Sequence, residues 1–125
     1  MSFKSNLSKA KGLGSSKNGV HHWKLQRLSA FAMIPLTLWL MYSFTFVLEA
    51  SQNSALEFFG SSFNAVMMIL FITFSFYHAS LGLQVVIEDY IHKKWLKYSS
   101  LIFIKLGSLA LAIYAALMIV KIHLN

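Results

Sequence analysis

Three stretches of this chain, about 28–48, 63–87 and 99–120, are apolar almost throughout, and most of the charged residues collect outside them. Roughly 20 consecutive apolar residues suffice for a membrane-spanning helix, so each stretch can cross a bilayer. Pro35 lies inside the first stretch. Its missing backbone bond is tolerated at membrane depth where neighbouring groups re-satisfy the backbone, and a kink is expected near Ile34.

The first connector is polar from Glu49 to Ser54. It leads into Ala55 to Ser62, which is apolar enough to lie partly in the interface and ends in turn-forming residues. A short basic segment, Ile91 to Tyr98, separates the second and third spans. Lys105 falls inside the third, close enough to its start for the long stem to return the ammonium to the headgroups. The expected organisation is a basic N-terminal tail, 1–22, followed by a three-helix membrane domain, 23–125. No internal repeat is visible.

Composition supports this reading. Of 125 residues, 57% are hydrophobic and only 12% charged, which is unlike a soluble domain. The absence of cysteine excludes disulfides, thiol catalysis and any iron–sulfur cluster held by this chain. A net charge of +7 could suggest nucleic acid, but the basic residues flank apolar segments, so no nucleic-acid partner is expected. Lys4, Lys9, Lys11, Lys17, Lys24 and Arg27 precede the first span, and Lys93, Lys94 and Lys97 follow the second. The connector between spans one and two carries acids and no basic residue. The positive-inside rule then places the N-terminus and the second loop in the cytoplasm, with Trp23, Trp95 and Tyr98 as an aromatic belt on that side. The first twenty residues, basic and free of acids, have the composition of a cytoplasmic tail or a transit peptide, and the tail is the favoured reading.

Candidate chemistry centres on His78, near the middle of the second span. A polar group at membrane depth is costly without a partner and marks a functional site by default. Asp89 lies eleven residues on; at about 100° per residue the two are roughly 20° out of phase, so they share a helix face, about 16 Å apart along the axis. Gly82 and Val85 fall on the same stripe. A neutral imidazole at mid-membrane can ligate haem iron or another metal, relay a proton, or hydrogen-bond a neighbouring helix. The residue types alone leave these open. Ser75, Ala79 and Gly82 are small enough for a flat macrocycle to approach the helix, yet small residues also mediate ordinary helix packing. His21, His22, His92 and His123 all lie near span ends. If a haem here is held by two histidines, the second would come from another polypeptide or a symmetry copy, and a partner membrane subunit is implied.

Asp89 and Tyr90 either face headgroups or build a quinone site, where a phenol hydroxyl donates to a quinone carbonyl and the acid orients a donor or passes protons. Arg27 is placed to pair with Asp89, with haem propionates or with lipid phosphate.

The string from His78 to Tyr90, with Asp89-Tyr90 eleven and twelve residues beyond the histidine, resembles the signature of the small cytochrome b membrane-anchor subunit of succinate dehydrogenase, respiratory complex II. Gly19-Val-His-His-Trp-Lys-Leu-Gln-Arg-Leu-Ser-Ala30 resembles the segment that leads into that family's first span. The resemblance implies an all-α membrane protein whose three transmembrane helices pack with the large cytochrome b anchor protein of the complex into a haem-binding helical bundle. It implies that His78 is an axial ligand of haem b, with the other supplied by that large anchor. It also implies that Tyr90 contacts ubiquinone, that Asp89 shapes the quinone pocket, and that Arg27 and His21 lie near the haem propionates. His22 stands where some members carry an acid. The iron–sulfur and flavoprotein subunits would complete a succinate:ubiquinone oxidoreductase on the bacterial inner membrane, or on the mitochondrial inner membrane as the alternative, with no complete active site in this chain. Competing expectations are the haem-free anchor of a fumarate reductase and a small proton-relay or transport protein.

Overall fold

The structure, a computed structural model, describes residues 16–48 and 52–124. Lys4, Lys9 and Lys11 of the expected tail and Glu49 of the connector lie outside them. Four helices follow in order: α1 (Ser16–Leu48), α2 (Gln52–Gly60), α3 (Ser62–Tyr90) and α4 (Lys94–Leu124). Three of them are long and apolar enough to cross a membrane, over Gly19–Thr45, Ser62–Tyr90 and Lys94–Leu124. α1 is helical on both sides of Pro35.

Each long helix outruns the apolar window that announces it. α1 begins at Ser16, about three turns before Leu28, because the polar residues of that segment do not break a helix once the span beyond has nucleated it. α4 begins at Lys94, so only Ile91, His92 and Lys93 connect it to α3. Trp95, Lys97 and Tyr98, expected in a loop, are therefore helical; Trp95 is 84% exposed. This tight connection is stitched at both ends: the Ile91 N–H donates to the Ile87 carbonyl at 3.0 Å, and Lys97 Nζ donates to the Glu88 carbonyl at 3.2 Å. A cation on the last carbonyls of α3 also opposes the negative end of its dipole.

α3 is the central helix. It packs against α4 most extensively and also against α1, while among the described residues the backbones of α1 and α4 are not close neighbours and their side chains border a shared cleft. The short helix α2, which hydropathy alone did not resolve into an element, bridges the end of the molecule away from Tyr90. Phe58 stacks on Trp39 of α1, with centroids 6.0 Å apart. His123 of α4 donates through Nδ1 to the Phe59 carbonyl at 3.0 Å, and Asn64 Nδ2 donates to the Phe58 carbonyl at 3.1 Å. Two carbonyls that the end of α2 would otherwise leave unpaired are thereby met. The buried apolar side chains are few: Leu36, Ala65, Leu81, Ile87, Ala112 and Ile119. Most large apolar residues face outward, as befits a protein whose solvent is lipid and other helices.

Candidate functional site

Ser29 is the most deeply buried side chain described, at 2% exposure, although it is polar. Its position follows from the length of α1. Counted from Ser16, Ser29 stands about 20 Å along the helix; counted back from Tyr90, His78 stands about 18 Å along α3. Their hydrogen bond of 2.9 Å puts the two at one level. Had α1 begun at Leu28, its polar residues would have been left at the membrane surface, far from the histidine.

Both nitrogens of His78 are engaged. Ser29 Oγ lies 2.9 Å from Nδ1, and Gln26 Nε2 lies 3.2 Å from Nε2. Ser29 also donates its single proton to the Gln26 carbonyl at 2.9 Å, an acceptor that cannot reciprocate. Ser29 must therefore accept from Nδ1–H, which leaves the lone pair of the ring on Nε2, where the Gln26 amide donates to it. Three hydrogen bonds thus fix one tautomer. The interhelical hydrogen bond considered for His78 is present, and it is made in the form that keeps Nε2 basic.

An open apolar groove of about 350 Å³ is lined by His78 and by Ala30, Met33, Ile34, Thr37 and Leu38 of α1. A haem fits this donor set in kind: an imidazole with its lone pair on Nε2, a hydrogen bond behind Nδ1, and apolar walls are what an axial ligand requires. Gly82 does not stand open toward a macrocycle; a Cβ placed there would meet Gln26 Nε2 at 3.6 Å. Ser75 Oγ is buried without a partner.

The remaining expected residues are spread along the Tyr90 end of the molecule. Asp89 and Tyr90 are exposed, Tyr90 at 79%, and neither is bonded within the chain among the described residues. Arg27 does not pair with Asp89; its guanidinium lies 4.7 Å from the Trp23 ring centroid, a cation–π contact within α1. His21 is exposed and borders a cleft of about 760 Å³ between α1, α3 and α4, together with Glu88 and Lys105. Lys105 thus faces a polar-rimmed cleft at that end. Glu88 accepts from Gln84 Nε2 at 2.8 Å. Among the described residues no group of three or more histidine, cysteine or acidic side chains could hold a metal ion, so any iron bound at His78 needs ligands from beyond them.

The sequence does not single out Gln26 and Ser29, the two partners of His78. A signal existed: the two are three apart, hence on one face of a helix, and Ser29 is a hydroxyl inside an apolar run. Only the pairing with α3 reveals their use.

The family model for the succinate dehydrogenase/fumarate reductase transmembrane subunit matches residues 1–119. The chain is 40% identical over 108 residues to the succinate dehydrogenase hydrophobic membrane anchor subunit of Rickettsia bellii, covering 86% of each chain. It is 39% identical over 105 residues to the protein of that description in Rickettsia typhi, covering 83% of each. The succinate dehydrogenase membrane anchor subunit of Reclinomonas americana is 28% identical over 102 residues, 79% of this chain and 85% of that one. No solved structure matches.

Proposed function

The chain belongs to the succinate dehydrogenase/fumarate reductase transmembrane subunit family, and from that premise we propose that it carries one axial ligand of haem b, one wall of a ubiquinone site, and part of the platform for the soluble subunits. The supporting observation is the Ser29–His78–Gln26 network, which puts the lone pair of the ring on Nε2, where the Gln26 amide is the group a ligand has to replace. His78 Nε2 would hold the iron from this chain, with a second histidine coming from the large cytochrome b anchor. When bound, the haem supplies a one-electron carrier beside the quinone. Ser29 holds the imidazole plane and its tautomer. Arg27 and His21, within about a turn and a half of Gln26 on α1, are the groups of this chain suited to the propionates.

Tyr90 and Asp89 serve at the end of α3. An exposed phenol hydroxyl with no bond inside the chain is free to donate to a quinone carbonyl, and the adjacent carboxylate can orient a donor or accept a proton. Other contacts to the quinone come from the large anchor and iron–sulfur subunits, and the flavoprotein performs succinate oxidation. The excess of basic residues around Tyr90 supports a cytoplasmic position for this end, in a bacterial inner membrane, where those soluble partners dock.

The test is purification of the membrane complex in mild detergent, with identification of its subunits and a reduced-minus-oxidised spectrum of the wild type and His78→Ala. Co-purifying flavoprotein and iron–sulfur subunits with a b-type spectrum that His78→Ala diminishes is the expected outcome. An unchanged spectrum in the assembled variant removes the axial assignment.

A further inference from the structure

Gln26 brings two polar atoms to the centre of the α1–α3 interface, and only one of them is satisfied there. Its amide nitrogen donates to His78 Nε2, while Oε1 is buried without a partner. Four residues earlier on α1, His22 Nε2 is likewise buried and without a partner. Side chains four apart on a helix are neighbours, and a ring N–H is the complement of an amide oxygen. Both side chains border one groove of about 700 Å³, which Gly19, Trp23, Gly82 and Val85 help to line. The room exists for Gln26 to move, and a bonding partner stands at the other position.

The lone pair on His78 Nε2 can serve one acceptor role at a time. It takes either the Gln26 amide proton or a metal ion. We propose that Gln26 is a two-position residue: it occupies the Nε2 lone pair while no haem is bound, yields it to haem iron, and then turns its amide oxygen to His22 Nε2–H. This rests on His78 as the axial ligand. In the exchange an N–H···N hydrogen bond breaks, an iron–nitrogen dative bond forms, and an N–H···O bond replaces the first; no electron or proton leaves the site. The second position satisfies Gln26 Oε1 and His22 Nε2–H but strips the His78 lone pair of its donor, so the first is held until iron takes that lone pair. Gly82 leaves the amide its place beside α3, since the Cβ of an alanine there would make ordinary contact at 3.6 Å and a longer side chain would fill the space.

Haem capture by the whole complex tests this. The complete complex is prepared in membranes from cells starved of haem, titrated with hemin, and followed by the growth of its Soret absorbance. Gln26→Leu, which removes the competing amide, is expected to capture haem several-fold faster than wild type. Gln26→Glu keeps the shape but turns an acceptor toward Nε2, which favours the tautomer with its N–H there, and is expected to slow capture several-fold. His22→Phe leaves the displaced amide oxygen unpaired and is expected to weaken haem retention several-fold. Wild-type capture by Gln26→Leu and Gln26→Glu, or loss of haem from both in assembled complexes, overturns the proposal. If His78→Ala binds haem with the wild-type spectrum, the ligand assignment itself has failed, whatever the Gln26 variants do.

Discussion

Ser29 Oγ lies 2.9 Å from His78 Nδ1, and a serine is thereby the most buried side chain among the described residues. The hydroxyl does two things at once. By donating to the Gln26 carbonyl it commits its only proton, and by accepting from the imidazole it fixes which nitrogen can bind a ligand. A hydrogen bond behind a ligating histidine orients the ring and raises its basicity.

Ser29→Ala is expected to leave Nδ1–H unpaired in a buried site, at a cost of about 1–3 kcal/mol. Haem is retained but held by a less basic ligand, so its midpoint potential rises and its thermal release begins at a lower temperature. Redox titration of the assembled complex reads the first effect and a Soret melting curve the second. An unchanged potential would mean that the serine only packs the two helices together.

Tyr90→Phe removes a hydroxyl that no described residue of this chain engages. Succinate:quinone reductase activity is expected to fall roughly fivefold, the worth of a hydrogen bond of about 1 kcal/mol. Succinate oxidation with a soluble artificial acceptor stays at the wild-type level, because that reaction bypasses the membrane site. Asp89→Asn follows the same pattern. Equal loss of both activities would point to misassembly.

His123→Ala acts at the opposite end. It deletes the bond to the Phe59 carbonyl and the weaker contact of Nε2 with Ser62 Oγ at 3.4 Å, and so unfastens α2 from α4. The expected cost is about 1–2 kcal/mol, visible as a lower melting temperature of the purified complex with an unaltered haem spectrum. A changed spectrum would show that this end communicates with His78.

Reporter fusions check orientation. A fusion after Asn125 is expected to be active for a reporter that folds only outside the cytoplasm, and one inserted after Lys93 is expected to be active for a cytoplasmic reporter. The reverse pattern would place Tyr90 on the side away from the proposed soluble partners.

How much of this was legible in the sequence differs from residue to residue. The three spans were, because free energy of transfer into lipid is nearly additive over a window of neighbours. Their ends were not. Ser16 to Arg27 reads as polar and basic, yet it is helix, since a helix that has already nucleated extends through residues of adequate propensity at little cost. The depth of His78 could be computed from helical rise alone, but its partners could not. Arg27 illustrates the limit: its charge suggested an acid or an anion, and within the chain it lies over Trp23, four residues away on the same helix. The short helix α2 stayed hidden because its stability comes from Trp39, Asn64 and His123, all on other helices.

Hydropathy and helical phase were enough to establish a three-span membrane protein with a histidine deep in its second span and an acid–tyrosine pair at that helix's end. It took the packed helices to establish that α3 lies between α1 and α4, that Ser29 and Gln26 reach the two nitrogens of His78, and that the lone pair stands on Nε2. The first set are properties of one segment and survive when it is read alone. Which residue meets which across an interface depends on the relative height and rotation of two helices, and those are set by the packing of whole faces, down to the three turns by which α1 outruns its apolar stretch.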